Sequence, residues 1–210
     1  MIKNLYLVRH GETLFNKRNI IQGVVNAPLV LEGCAQALHT RKCYFEDQNI
    51  EYDHVYCSPE GRCIQTTMLL TDQPYTEVVD LHEMCFGKLE GCAGYLLPPQ
   101  DEFATYFEKI GGESIAEVQT RMNKALFKIM EDPDNQNVLA VAHGCANQAF
   151  AEYWSSHSKL DSDITLDNCS VLHFEFDPDQ KIFSLTGIFN EDYYTEDLQA
   201  ALACGQALVV

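Results

Sequence analysis

The sequence predicts an α/β fold: a three-layer sandwich whose central, mostly parallel sheet carries helices on both faces, in a single domain spanning residues 1–210. Three observations lead there. Short apolar runs alternate with longer stretches of helical periodicity. The early runs are continuous rather than alternating, as suits strands buried on both faces. A chain of 210 residues, 46% hydrophobic and 21% charged, can bury a core without a disulfide or metal staple.

The elements follow in order. Residues 4–8 (NLYLV) form a strand that runs into Arg9-His10-Gly11. Residues 32–48 have helical character, with Ala35, Leu38 and Phe45 on one side. Residues 54–57 (HVYC) read as a second strand. Ser58-Pro59 then reads as an N-cap followed by proline at the first helical position, opening a helix through Leu70. Residues 77–80 (EVVD) predict a third strand, and residues 81–112 are irregular, with Pro98-Pro99 and Gly111-Gly112 as breakers. Ser114 and Glu117 make a capping box. Behind it Ile115, Val118, Met122, Leu126 and Ile129 keep a helical period to about Glu131. Residues 137–142 (NVLAVA) form a buried strand and residues 145–156 a helix. Residues 170–176 and 181–189 flank Asp177-Pro178-Asp179-Gln180 as a hairpin, and a terminal helix begins at Thr195.

Charge narrows the partners. Fourteen Lys and Arg stand against 31 Asp and Glu, a net charge of −17. That argues against nucleic acid, which needs a basic footprint, and against docking on anionic lipid. Residues 1–65 are neutral, with seven bases and seven acids, so all the excess negative charge lies beyond them. An anionic substrate must therefore be drawn by a local cluster in the first third. The nine cysteines show no CxxC pair and no zinc spacing, and they fit a reducing compartment. The chain opens directly into a strand, so no leader is expected and the expected location is cytoplasmic. No apolar run approaches the ~20 residues that span a bilayer.

In parallel sheets ligands bind beyond the C-terminal strand ends. There the sequence places Arg9-His10-Gly11-Glu12-Thr13 with Asn16, then Ser58 to Arg62, then His82-Glu83, and finally His143-Gly144. LVRHGETLFN (7–16), CSPEGRCIQT (57–66), LHEMCFGKLEG (81–91), GGES (111–114) and VAHG (141–144) occur in the order found in the histidine phosphatase superfamily. The chain resembles that phosphoglycerate-mutase-like group over most of its length. Asn26 stands where Asp is common there, and Cys57 where Ser is usual.

A phosphate monoester carries about two negative charges near neutral pH. Attack on it needs those charges neutralised and a nucleophile in line. His10, ending a rigid strand next to Gly11, is the candidate nucleophile and would form a phosphohistidine. Arg9 and Arg62 would grip the phosphoryl oxygens through charge-assisted bonds. The resemblance implies that His143 donates to the same oxygens. It implies that Asn16, with the Gln22-Gly23 backbone, completes the cradle, and that Glu83 is the general acid, although Asp80, His82 and Glu90 stand close by. It requires no metal. Glu12 is read as orienting the loop. His39, His54, His157 and His173 are read as structural or surface groups, and Cys57, Cys63 and Cys145 as small packing residues. Tyr193-Tyr194 carries no functional reading.

The function this implies is a metal-independent phosphomonoesterase acting on small phosphorylated metabolites, without a cofactor. One alternative is a phosphoglycerate mutase, which would use 2,3-bisphosphoglycerate. Such mutases clamp the substrate carboxylate with extra bases after the acid loop. Here residues 89–112 hold one base, Lys109, and offer Tyr95, Leu96, Leu97, Phe103, Tyr106 and Phe107 instead. Lys17 and Arg18 could still fold over the site. A sugar-bisphosphate phosphatase lies between the two, and a non-catalytic phospho-ligand binder is the reading from another class.

Overall fold

In the computed structural model, which describes residues 1–160, 165–190 and 192–204, six strands form one mixed sheet. They are β1 (Lys3–Arg9), β2 (His54–Cys57), β3 (Tyr75–Glu77), β4 (Asn137–Ala142), β5 (Val171–Asp177) and β6 (Ile182–Phe189), ordered β3-β2-β4-β1-β5-β6 across the sheet. The first four run parallel. β5 is antiparallel to β1, and the β5–β6 hairpin adds the far edge. The helices are α1 (Leu14–Lys17), α2 (Leu31–Thr40), α3 (Gly61–Leu70), α4 (Phe103–Tyr106), α5 (Ile115–Glu131), α6 (Gly144–Tyr153) and α7 (Thr195–Cys204).

The continuous apolar runs are explained by two cores. Successive side chains of a strand point to opposite faces. In β1, Leu5 and Leu7 join Val138, Ala140, Met122, Leu126 and Phe150 beneath α5 and α6. Tyr6 and Val8 join Leu139, Val141, Val55, Tyr44, Phe45 and Leu70 on the other side. Leu5, Leu7 and Val8 are wholly buried. Burial of each contributes roughly 1.5–3 kcal/mol, which makes β1 a stiff support for whatever follows it.

The register then decides which residues meet. Leu5 pairs with Val138 and Arg9 with Ala142, so β1 and β4 end level. The His10 amide bonds Ala142 O at 3.1 Å, and the Ser58 amide bonds Val141 O at 2.9 Å. His10, Ser58 and His143 thus leave three neighbouring strands at one edge.

Four expectations shift. The helix expected over 32–48 is α-helical only to Thr40, and residues Arg41–Glu46 widen into a π-helical turn. The wider turn lets the adjacent rings of Tyr44 and Phe45 both reach Tyr6, with centroids at 6.2 and 5.8 Å. Ser58 does not cap α3, which starts at Gly61 with Glu60 extended before it. The Ser58 hydroxyl is taken by Glu60 and His143, and Asn26 Oδ1 receives the Arg62 amide at 3.4 Å instead. The third strand lies at Tyr75–Glu77 rather than 77–80, because β2 ends at Cys57 and offers Val78 only one last carbonyl. Helix α6 runs Gly144–Tyr153, and a short 3-10 turn follows over Ser155–His157. The Ser114–Glu117 capping box, α5 and the hairpin match their expectations. No helix among the described residues is long and apolar enough to cross a membrane.

The loop after β1 lies backbone against backbone on the first turn of α2. A Cβ on Gly11 would sit 2.4 Å from Gly33 O, and one on Gly33 would sit 2.1 Å from Glu12 O. Gly33→Ala is therefore expected to cost about 1–3 kcal/mol in overpacking, seen as a lower urea midpoint. An unchanged midpoint would contradict the close approach.

Candidate active site

His10 is buried, and its Nδ1 lies 2.8 Å from Gly11 O. A carbonyl only accepts, so Nδ1 carries the proton and Nε2 keeps a lone pair. Burial, then Arg62, His143 and Arg9, hold the ring's pKa well below 6.5 against the opposing pull of the Gly11 bond. The imidazole is thus neutral and nucleophilic at neutral pH. Its backbone is fixed as well: His10 O accepts from Asn168 Nδ2 at 3.0 Å, and the Gly11 amide donates to Thr66 Oγ1 at 3.0 Å.

Arg62 projects from the first turn of α3 and is wholly buried. Its Nη2 donates to Gly23 O at 2.8 Å, its Nη1 to Val25 O at 3.1 Å and its Nε to His143 Nδ1 at 3.2 Å. None of these partners is a carboxylate, so the guanidinium keeps its full positive charge and still has N–H bonds to offer. Arg9 donates through Nη1 to Leu166 O. Its Nε, like Gln22 Nε2, is a buried donor with no partner among the described residues. Buried polar groups are nearly always satisfied. Both residues line one cavity.

Glu83 sits on the N-terminus of α6. Its Oε1 accepts from Met84 N at 2.8 Å and Ala146 N at 2.9 Å, and its Oε2 accepts from Cys145 N at 3.1 Å. Arg121 pins the acid loop from behind, donating to Asp80 O at 3.1 Å and His82 O at 2.7 Å. Arg121 also forks onto both oxygens of Glu113, at 2.8 and 3.0 Å, and Glu113 in turn accepts the Cys85 amide.

These groups share a cavity of about 600 Å³. Arg9, His10, Asn16, Gln22, Arg62 and Glu83 line one end, and Ile20, Ile21, Phe86, Leu97, Phe103 and Ile115 line much of the rest. Asn16 also braces α1, with Oδ1 accepting from Thr13 N at 3.1 Å. Two more of the expected groups pack on Arg62. The Gly23 carbonyl accepts from Arg62 Nη2 at 2.8 Å. His143, with its ring centroid 5.3 Å from that of His10, stands behind Arg62, and both of its ring nitrogens are engaged. Glu12 positions its loop through its backbone, with its amide on Gln36 Oε1 at 2.9 Å.

The remaining groups fall where their sequence context put them. His39 is buried 3.1 Å from Asp197, and His173 stacks on Tyr6 at 4.7 Å. Burial pushes the Cys57 thiol up to about 12 and also raises Cys63 and Cys145, which keeps all three protonated. No group of three or more His, Cys, Asp or Glu among the described residues could hold a metal ion.

Sequence reasoning noted Glu90 only as a neighbour of Glu83 and missed its role, which is to accept from Val24 N at 3.1 Å, Val25 N at 3.0 Å and Phe86 N at 3.1 Å. It ties the loop that braces Arg62 to the acid loop. Arg121, Gln148, Glu152 and Leu166 were missed too. Only Arg121, a lone arginine eight residues beyond an acid, left a signal in the sequence.

Comparison with known proteins finds relatives of this chain. The sequence pattern of the histidine phosphatase superfamily (branch 1) matches residues 5–188. The protein named "Probable phosphoglycerate mutase GpmB" of Yersinia pestis (strain Pestoides F) is 37% identical over 153 residues, covering 68% of this chain and 70% of that one. Among solved structures, the phosphoglycerate mutase of Bacillus anthracis str. Sterne superposes with a TM-score of 0.76 at 21% identity, over 96% of this chain and 97% of that one. The phosphoserine phosphatase of Entamoeba histolytica, solved with 3-phosphoglyceric acid, gives 0.72 at 22% identity, over 93% and 98%. At these identities the two structures attest the fold.

The buried imidazoles make stability depend on pH. In the native protein His10 and His143 bind a proton only well below 6.5, the value they regain on unfolding. Below 6.5 the unfolded chain therefore binds more protons, and stability, complete above that pH, falls as pH drops. Urea denaturation at about pH 7.5 and about pH 5.5 should show this loss, and His10→Gln should make the slope shallower. An unaltered slope would mean that His10 titrates normally.

Proposed function

Since the chain belongs to the histidine phosphatase superfamily, we propose that it is a metal-independent phosphomonoesterase that works through a phosphohistidine on His10 and hydrolyses small phosphorylated metabolites. The Nε2 lone pair attacks phosphorus, the bond from phosphorus to the ester oxygen breaks, and Glu83 delivers a proton to the departing alkoxide. Positive charge spreads over the imidazole as the P–N bond forms, and the Nδ1–H bond to Gly11 O stabilises it. Arg9 and Arg62 neutralise the equatorial oxygens throughout, with Gln22 and Asn16 beside them. Glu83, now a carboxylate, takes a proton from water as that water attacks phosphorus. The P–N bond breaks, inorganic phosphate leaves, and Nε2 recovers its lone pair.

One observation carries hydrolysis over isomerisation. Among the described residues, Arg9 and Arg62 are the only bases lining the cavity. Both are assigned to the phosphoryl group, so no further Lys or Arg lines the cavity to pair with a substrate carboxylate. Lys17 pairs with Glu32 instead of covering the site. The mutase reading is the second one, favoured by the name of the relative that is 37% identical. In that reading alone, 2,3-bisphosphoglycerate would serve as cofactor.

The two separate in one assay series, with p-nitrophenyl phosphate in EDTA and with 3-phosphoglycerate plus catalytic 2,3-bisphosphoglycerate. Phosphate release in chelator without isomerisation is expected. Isomerisation outpacing release would establish the mutase, and loss of activity in chelator would point to a metal. His10→Ala should abolish the acid-labile phosphoenzyme, and an adduct that survives the change would remove His10 as nucleophile. Glu83→Gln should slow alkyl phosphates about 10²–10⁴-fold and p-nitrophenyl phosphate far less, because nitrophenolate leaves unprotonated. Equal slowing of both would refute the general-acid role.

A further inference from the structure

Glu60 takes no part in the chemistry described so far. It follows β2, and its side chain is only 11% exposed. Its Oε2 lies 3.1 Å from His143 Nε2. The Ser58 hydroxyl, 2.8 Å from the same nitrogen, donates to the same carboxylate. On the opposite edge of the ring, Arg62 Nε donates to His143 Nδ1 at 3.2 Å. A guanidinium N–H can only donate, so Nδ1 must present a lone pair and the single proton of the neutral ring must lie on Nε2. Cys63 Sγ, 3.4 Å from Nε2, packs against the ring and gives its own proton to Ala142 O at 3.3 Å.

We propose that Glu60 is a positioning residue that acts through His143 on Arg62. Its carboxylate accepts the Nε2 proton and thereby fixes the imidazole tautomer. Nδ1 is left as the acceptor that aims the guanidinium, whose terminal nitrogens are braced by the carbonyls of Gly23 and Val25. With the proton on Nδ1, two donors would face each other in a buried site and Arg62 would turn away from the cavity. His143 thereby helps to aim Arg62 at the cavity. The catalytic part of this inference rests on reading the cavity as a phosphatase site, whereas the tautomer does not.

Long-range ¹H–¹⁵N correlation on the labelled wild-type protein tests the tautomer directly. His143 is expected to show a protonated Nε2 and an unprotonated Nδ1, and the opposite assignment would overturn the proposal. Glu60→Leu should shift the ring toward the Nδ1–H form. It should also lower kcat/KM on p-nitrophenyl phosphate roughly ten- to hundredfold, as loss of an outer-sphere partner does elsewhere, and weaken inhibition by inorganic phosphate. Glu60→Gln, whose amide carbonyl still accepts, should keep the wild-type tautomer and recover most of that loss. A drop in Glu60→Leu with the tautomer unmoved would reduce Glu60 to a structural residue, and no change in either readout would remove it altogether. If Glu60→Leu fails to fold, the wild-type spectrum and Glu60→Gln still decide. If the wild type releases no phosphate from any ester, the phosphatase reading falls while the spectrum still judges the relay.

Discussion

The parallel pairing of β1 with β4 is the constraint from which the site follows. Because Arg9 lies level with Ala142, the next residue on each strand is a histidine, and the His10 amide closes the ladder on Ala142 O. One residue of slippage would move every side chain of β1 to the other face. Leu5 and Leu7 would then exchange cores with Tyr6 and Val8, so the hydrophobic register and the register of the site are the same specification.

The second feature is a pair of cations supported by dipoles, Arg62 buried and Arg9 half-buried. Arg62 is held by two carbonyls and an imidazole, and Arg9 by the carbonyl of Leu166. Carbonyls orient a guanidinium without cancelling its charge. A chain with a net charge of −17 thereby keeps a concentrated positive spot next to His10. The acids are spent differently. Glu83 is docked on backbone amides, Glu90 on three others, and Glu113 on Arg121. Each locks a loop, and none forms a salt bridge with Arg9 or Arg62 among the described residues.

What could be read from the sequence was whatever is local. Residues 4–8 and 137–142 announce buried strands through composition, and Ser114 with Glu117 announces a helix start through spacing. The strand-end motifs announced Arg9, His10, Arg62, Glu83 and His143, and the structure gathers them at one edge of the sheet. What could not be read was whatever depends on partners distant in the chain. Ser58 looks like a cap until His143, 85 residues away, claims its hydroxyl. Glu90 looks like one more acid until it meets the amides of Val24 and Val25, 66 and 65 residues before it. The end of β3 is set by the end of β2, which no property of residues 77–80 reveals. The π-helical turn answers to Tyr6 across the sheet, not to its own sequence.

The cavity divides its labour by element. The chemical groups stand on strand ends and helix starts that the two cores hold rigid, while Ile20, Leu97 and Phe103 come from connecting segments and a single helical turn. Substitutions in those segments can reshape the leaving-group end without disturbing His10 or the guanidiniums. Such a scaffold is evolvable: lineages can drift from one ester to another while the phosphoryl chemistry is inherited intact.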